Sequence, residues 1–202
     1  MSSVRVVAIG ASLGGLHAIQ AVLRAIPASF GCSLLIAQHR RADVDSRLRE
    51  LLAAVSKLPV VEPEDRTPIE VNHVYIAPSD YHMLVERDVV SLSIDPPVHH
   101  ARPSIDVLFE SVADAYGPAC VGVMLTNSNE DGARGVAAIK RAGGKVFVQD
   151  PDTAESPVGP RAALASTQVD GVLKLEDLPL ALTRLCRVPR KRGRDSSSPP
   201  PR

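Results

Sequence analysis

Short apolar runs alternate with segments of helical periodicity along most of the 202-residue chain. The runs VRVVAI (4–9) and SLLIAQ (33–38) are each followed by a segment in which apolar residues recur at helical spacing, at 15–26 and 44–56. Strands that are apolar along their whole length are buried on both faces, which is typical of parallel sheets covered by helices. The pattern predicts an α/β fold with a doubly wound, mostly parallel sheet and helices on both faces.

One region breaks this alternation. After a short strand around Val60, residues 73–78 (HVYIAP) predict a strand, and residues 83–94 (MLVERDVVSLSI) predict an antiparallel hairpin that turns at Arg87 and Asp88. We interpret the hairpin as an insertion into the parallel fold. Beyond a loop rich in Pro and His, the alternation returns with a helix at 104–116, a strand at 119–126, a helix at 131–143, a strand at 145–150, a helix at 160–166, a strand at 171–175 and a short final helix.

The composition is that of one globular domain, since 45% of the residues are hydrophobic, 23% are charged and the formal net charge is zero. We expect this domain to span residues 1–187. We expect a basic, Ser/Pro-rich tail at 188–202 to be disordered, because it lacks apolar residues that would offset the entropy of ordering. No apolar run approaches the roughly 20 residues of a membrane helix, and we expect no signal peptide before the first strand. The sequence therefore predicts a cytoplasmic protein without membrane insertion.

Neither a metal site nor a nucleic acid interface is indicated. Cys32, Cys120 and Cys186 form no Cys-x-x-Cys pair, so we expect reduced thiols that bind no metal. His99 and His100 are adjacent in a loop that we expect to be strand-like, where neighbouring side chains point apart, and no third ligand is evident. With no Trp, three Tyr and three Phe, the chain has few aromatic side chains to stack on bases, so we expect no nucleic acid partner.

The stretch AIGASLGG after the first strand fits two different motifs. It fits Gly-x-Ser-x-Gly with Gly10, Ser12 and Gly14, a turn that presents a nucleophilic serine at the end of a strand. It fits the dinucleotide motif Gly-x-Gly-x-x-Gly only if Ser12 replaces the middle glycine, where the backbone approaches phosphate most closely. A dinucleotide site also needs an acidic residue after the second strand, where Gln38 and His39 stand. We therefore expect no cofactor, while a structural role of Ser12 in a tight turn stays open.

Three residues with catalytic chemistry stand at the ends of three different predicted strands: Ser12, His39 and Asp131. Because functional groups collect at the carboxyl ends of strands in an open parallel sheet, these residues can converge without being close in sequence. Each has a simpler interpretation by itself, as a turn serine, a polar residue closing a strand, and a helix N-cap. These three simpler interpretations do not explain why all three residues stand at the same edge of the predicted sheet. Their common position favours a catalytic role.

The motifs at these positions resemble those of a known family. With IGASLGG, AQHR (37–40) and NEDGA (129–133) in this order, the chain resembles the catalytic domain of the CheB family, the protein-glutamate methylesterases of bacterial chemotaxis. The stretch RPSIDVLFESVA (102–113) is a further long match, and HVYIAP and HMLV match the hairpin region. The resemblance extends from Val4 to Leu175 without large gaps.

The resemblance implies a doubly wound α/β domain that hydrolyses γ-glutamyl methyl esters, and deamidates glutamines, on the cytoplasmic helices of chemoreceptors. Carried over by position, it makes Ser12 the nucleophile, His39 the general base and Asp131 the residue that orients the base. Backbone N–H groups near Leu13 or in the 127–129 turn are candidates for stabilising the oxyanion. Methylated chemoreceptor cytoplasmic domains are the expected partner, and association with receptor arrays is consistent with this.

Two stretches depart from the family pattern. Asn127-Ser128-Asn129 stands where family members have Gly-Met-Gly, and PVGPRAA (157–163) lacks the methionine of the family's small-Gly-Met-Pro stretch. Glycine permits unusual backbone angles and close substrate approach, and asparagine reproduces the first property only in part. The alternative function is therefore a catalytically weak, receptor-binding or scaffold module. Because the matched pattern begins at residue 4, we expect no N-terminal receiver domain of the kind that many family members carry.

Overall fold

The computed structural model describes residues 4–40, 47–86 and 88–186, and it contains nine strands and six α-helices. The strands are β1 Val6–Ala11, β2 Ser33–Gln38, β3 Val60–Val61, β4 Val74–Ile76, β5 His82–Glu86, β6 Val89–Ser93, β7 Cys120–Met124, β8 Lys145–Gln149 and β9 Gly171–Leu173. The helices are α1 Gly15–Ala25, α2 Leu48–Ala53, α3 Ile105–Tyr116, α4 Ala133–Arg141, α5 Val158–Ser166 and α6 Leu178–Cys186.

Seven of the strands form one sheet in the order β3-β4-β2-β1-β7-β8-β9, and every neighbouring pair is parallel. The chain builds one side of this sheet from β1 to β4 and then crosses to β7, on the other side of β1. The carboxyl ends of β1 and β7 therefore flank the topological switch point, which is where open α/β sheets bind their ligands. Strands β5 and β6 form a separate antiparallel hairpin.

Helices cover both faces of the sheet, and the alternation of side chains along β1 shows how. Val6 and Ala8 belong to a buried cluster with residues of α3, α4 and the hairpin. Val7 and Ile9 belong to a second cluster, which contains residues of α1, α2 and α6. The apolar runs are thus buried on both sides, and the predicted fold class is confirmed, including the antiparallel hairpin.

Some predicted boundaries differ from the structure. Helix α5 begins at Val158, earlier than expected, because Pro160 is tolerated in a first helical turn whose N–H groups have no intrahelical partner. The predicted start of α2 falls among residues 41–46, which lie outside the described residues, as do Arg87 in the hairpin turn and the predicted tail at 188–202. The division of the chain at residue 187 stays a prediction. In the described part of the chain, no helix has the length and apolar character needed to cross a membrane.

Candidate active site

Ser12 lies directly after β1, in a turn that its glycine neighbours make possible. Gly14 adopts a left-handed conformation with φ 76°, and the N–H of Gly15 donates to the carbonyl oxygen of Ser12 at 2.8 Å. A Cβ atom at Gly15 would lie 2.1 Å from Oε1 of Gln38 and 2.7 Å from Cβ of Ala11. Both separations are far inside van der Waals contact, so the turn requires glycine here. The result is a tight turn that holds Ser12 at the carboxyl edge of the sheet.

His39 lies directly after β2, opposite Ser12. The strand register pairs Ala11 with Gln38, so the next residue of each strand is Ser12 and His39, respectively. The side-chain Nε2 of Gln38 donates to the carbonyl oxygens of both Ser12 (2.8 Å) and His39 (3.0 Å). Gln38 thus links the ends of β1 and β2 by hydrogen bonds. In the sequence, Gln38 only stands where a dinucleotide site would have an acidic residue, and its cross-strand role becomes visible in the hydrogen bonds of the folded chain.

The Asp131 carboxylate lies behind His39 and is fully buried. It accepts a hydrogen bond from Nε2 of His39 at 2.7 Å, from Oγ of Ser104 at 2.8 Å, and from the backbone N–H groups of Ile105 (2.7 Å) and Asp106 (2.9 Å). Burial raises the pKa of Asp131, but the hydrogen bonds from His39 and from the two backbone N–H groups outweigh it, and the net pKa lies below the ordinary value. Asp131 is therefore charged at neutral pH.

Asp131 does not cap the helix that follows it in sequence. Helix α4 begins at Ala133 with Gly132 as its N-cap, at φ 104°. Asp131 instead binds the N-terminus of α3, where unpaired N–H groups and the helix dipole favour a negative charge. The interpretation of Asp131 as a local N-cap is therefore wrong.

A second buried carboxylate, that of Asp106, makes the reciprocal contact. Its Oδ1 accepts from the N–H groups of Gly132 (2.9 Å) and Gly135 (2.8 Å) at the start of α4, and its Oδ2 accepts from Nε of Arg134 at 3.1 Å. The start of each helix is thus held by a carboxylate from the start of the other. These crossed caps, formed by Asp106 and Asp131, fix the position of the carboxylate that His39 contacts.

The turn before Asp131 is closed by its own side chains. Nδ2 of the buried Asn127 donates to the carbonyl oxygen of Asp131 (2.9 Å) and to Oδ1 of Asn129 (3.0 Å), which in turn accepts from the N–H of Asp131 at 3.0 Å. Within the described residues, positive φ does not occur at 127–129. Side-chain amides stabilise this turn with ordinary backbone angles, so the unusual angles that glycine would permit are not used here.

Ser12 and His39 line a common cavity of about 710 Å³ at the switch point. The His39 side chain is 11% exposed, whereas Asp131 has no exposed surface. Nε2 of His39 makes the contact with Asp131, and Nδ1 forms no hydrogen bond within the described residues. The cavity therefore presents a hydroxyl and an imidazole to a ligand and keeps the carboxylate away from solvent.

His99 and His100 lie on the wall of the same cavity. They adopt φ angles of 49° and 61° in a two-residue turn, and Val98 and Ala101 pair on either side of it. The expectation of a strand-like loop whose histidines point apart is wrong, because both residues take the left-handed conformation. Among the residues that the structure describes, no group of three or more His, Cys, Asp or Glu side chains could hold a metal ion.

The glycine turn after β1 is poorly suited to phosphate. A Cβ atom on Gly14 would lie 2.5 Å from Oε2 of Glu155, so this carboxylate packs directly against the turn. A carboxylate at that position would repel a pyrophosphate. This contact argues against the dinucleotide interpretation of AIGASLGG.

The three thiols are buried and unpaired by disulfides. Burial raises the pKa of Cys120 to about 11, and hydrogen bonding with Cys32 together with burial raises the pKa of Cys186. Cys120 and Cys186 are therefore poor nucleophiles, and none of the three thiols lines the cavity, where Ser12 is the nucleophile candidate.

The fold and this cavity define a doubly wound α/β protein with its polar ligand-facing groups at the switch point, as in enzymes of this class. A sequence model of the family described as CheB methylesterase matches residues 7–182. The crystal structure of the Thermotoga maritima CheB methylesterase catalytic domain has a TM-score of 0.86 to this chain at 28% identity, covering 91% of this chain and 100% of that one. The chain belongs to the CheB methylesterase family, which confirms the resemblance found in its motifs.

Curated relatives support the same assignment. A putative protein-glutamate methylesterase/protein-glutamine glutaminase of Leptospira interrogans is 41% identical over 180 residues, covering 89% of this chain and 93% of the relative. Protein-glutamate methylesterase/protein-glutamine glutaminase 2 of Anaeromyxobacter dehalogenans is 42% identical over 184 residues, covering 91% of this chain and 54% of the relative. The first relative is thus matched over nearly its whole length and the second over about half.

Proposed function

We propose that this protein hydrolyses γ-glutamyl methyl esters by serine catalysis, with Ser12 as nucleophile, His39 as general base and Asp131 as the group that orients the base. The observation that carries the proposal is the position of His39. Its Nε2 binds the buried Asp131 carboxylate at 2.7 Å, and the strand register places the residue opposite Ser12 on the wall of one cavity. Nucleophile, base and orienting group are the three parts that serine catalysis needs.

The proposed chemistry has two stages. Oγ of Ser12 attacks the ester carbonyl carbon while Nδ1 of His39 accepts the hydroxyl proton, and the imidazolium then gives that proton to the departing methanol. Water deprotonated by His39 next attacks the acyl-enzyme, releasing the glutamate carboxylate and restoring Ser12. Glutamine deamidation follows the same course with ammonia in place of methanol. The charged Asp131 stabilises the imidazolium in both stages and fixes the tautomer that leaves Nδ1 free to accept.

The tetrahedral intermediate needs hydrogen-bond donors for its oxyanion. In the 127–129 turn, the N–H of Asn127 donates to Ser156 and that of Asn129 to the Asn127 side chain. The backbone N–H groups of Leu13 and Ser128 make no hydrogen bond within the described residues. We therefore assign these two N–H groups to the oxyanion.

The substrates that we propose are the cytoplasmic domains of chemoreceptors carrying methylated glutamates. The names of the relatives, protein-glutamate methylesterase/protein-glutamine glutaminase, support glutamyl side chains of proteins as the class of substrate. An open cavity, rather than a closed pocket for a small molecule, fits a side chain presented by a protein surface. Association with receptor arrays stays a prediction.

Methanol release from methylated chemoreceptor cytoplasmic domains tests this function. We expect multiple turnovers by the purified protein without added metal or cofactor. The competing function, a receptor-binding or scaffold module with weak catalysis, predicts binding of the same domains without methanol release.

Gln38→Ala is expected to lower kcat for ester hydrolysis by about tenfold to a hundredfold, because small misplacements of reacting groups are costly. The substitution removes the donor that holds the carbonyl groups of Ser12 and His39 together. The matched control is Gln20→Ala, which removes a partly exposed amide of α1 that donates to the carbonyl oxygen of Leu51 in α2. Equal kcat values for the two variants would show that Gln38 does not position the site.

Replacing Asn127-Ser128-Asn129 with Gly-Met-Gly is expected to raise kcat/KM for receptor methyl esters, by about 1–2 kcal/mol of transition-state binding energy, while hydrolysis of small activated esters stays constant. The swap removes the Asn129 side chain from the cavity wall. The swap also removes the Asn127 and Asn129 amides that bind the backbone of Asp131. The Asp131 carboxylate should nevertheless keep its position, since its four donors come from His39 and the start of α3. Measuring both substrates before and after the swap checks this, and equal changes in both would show that the turn is a neutral variation.

A further inference from the structure

His99 and His100 form a turn, called the histidine turn, whose positive φ angles histidine rarely adopts. The N–H of Val98 donates to Ala101 at 3.1 Å, and the N–H of Ala101 donates back at 2.9 Å, which closes a two-residue hairpin turn. Both histidines have positive φ, as in the type I′ turns for which Asn-Gly is the preferred sequence. Residues other than glycine that are held in this conformation cost stability and cluster at functional sites.

Both imidazoles lie where a substrate of Ser12 would be bound. His99 and His100 line the cavity together with Ser12 and His39. The His99 side chain is 40% exposed, and its Nε2 lies 3.6 Å from Oδ2 of the fully buried Asp106. Asp106 therefore anchors one side of the histidine turn to the crossed caps, while the imidazoles stay accessible from the cavity.

The charged groups on the cavity wall form ion pairs. Asp80 is the carboxylate on the cavity wall, and Arg102 neutralises it at 2.6 Å. Arg40, also on the wall, pairs with Glu62.

The Asp106 carboxylate that lies beside His99 also accepts a hydrogen bond from Arg134. Asp80 and Asp106 are thus each engaged by a cation. An incoming carboxylate would meet imidazole and guanidinium groups rather than an unpaired negative charge.

We propose that the histidine turn binds a substrate carboxylate close to the scissile glutamyl ester, so that the preferred substrates are acidic protein segments. The inference rests on the proposed function, whose substrate class it narrows. An imidazole N–H donates to the carboxylate, and a hydrogen bond to an ionised acceptor is stronger than one to a neutral amide. His99 and His100 are specificity-determining residues here and take no part in the chemical steps.

The test compares two peptides that differ only in a Glu or a Gln next to, or one helical turn from, a glutamyl methyl ester. We expect a kcat/KM preference of about fivefold for the Glu peptide over the Gln peptide. Both peptides carry the same scissile ester, so the ratio of their kcat/KM values isolates the contribution of the histidine turn. Equal kcat/KM values at every Glu position would overturn the inference while leaving the proposed function intact. No methanol release from either peptide would contradict both.

The matching variant combines His99→Asn with His100→Gly, which suits the turn and removes both imidazoles. Its ratio of kcat/KM for the Glu peptide to kcat/KM for the Gln peptide is expected to be near unity. The control variant is His73→Asn, whose histidine precedes β4 at the amino edge of the sheet. A double variant that keeps the preference of the unmodified protein would assign the contact to another group.

Discussion

Ser12→Ala is expected to lower the hydrolysis of glutamyl methyl esters by about 10⁴-fold, while the fold stays intact. The substitution removes one partly exposed hydroxyl from the cavity wall and leaves the backbone contacts of the turn in place. Without the hydroxyl, only direct attack by water remains, and it lacks the covalent intermediate. The measurement is kcat for methanol release, with circular dichroism to compare the folds.

The matched control for this prediction is Ser29→Ala. Ser29 is an exposed serine in the loop that enters β2, at the edge of the sheet opposite the cavity. We expect its variant to keep the turnover of the unmodified protein. A folded Ser12→Ala variant with comparable turnover would show that Ser12 is not the nucleophile.

His39→Ala is expected to lower kcat/KM by about 10⁴-fold and to abolish the pH dependence that the imidazole causes. A protonated His39 cannot accept the serine proton, so kcat/KM of the unmodified protein for a small uncharged ester should fall as the solution is acidified. The lowered pKa of Asp131 keeps that carboxylate charged in mildly acidic solution, so the loss of activity does not come from neutralisation of Asp131.

The control for His39 is His73→Ala, which removes a histidine near the amino end of β4, beside Glu70. Its rate and its pH profile should match those of the unmodified protein. If His39→Ala kept the same pH profile at any measurable rate, another group would have to activate Ser12.

The positions of Ser12 and His39 were predictable because they follow from local rules. Each residue comes directly after an apolar run, and parallel strands bring their carboxyl ends to one edge of the sheet. The order of the strands could not be predicted from residue types alone, because it depends on how the helices pack on both faces. The family resemblance supplied that part of the fold.

The crossed caps could not be predicted, although both carboxylates stand near predicted helix starts. An aspartate before a helix suggests a cap on its own helix, and nothing in the local pattern shows that Asp131 binds α3 while Asp106 binds α4. The contacts arise from tertiary packing between two helices that are distant in sequence. The same is true of the histidine turn, because Pro- and His-rich sequence gives no indication of its left-handed backbone angles.

Covalent labelling with a fluorophosphonate, which reacts with activated serine hydroxyls, tests the central claim most directly. The labelled protein is digested and the modified residue is identified by mass spectrometry, while methanol release is followed in the same sample. We predict one adduct, on Ser12, that forms in proportion to the loss of methanol release and is absent from the His39→Ala variant. Methanol release that continues after Ser12 is fully labelled would contradict the assignment of Ser12 as the nucleophile.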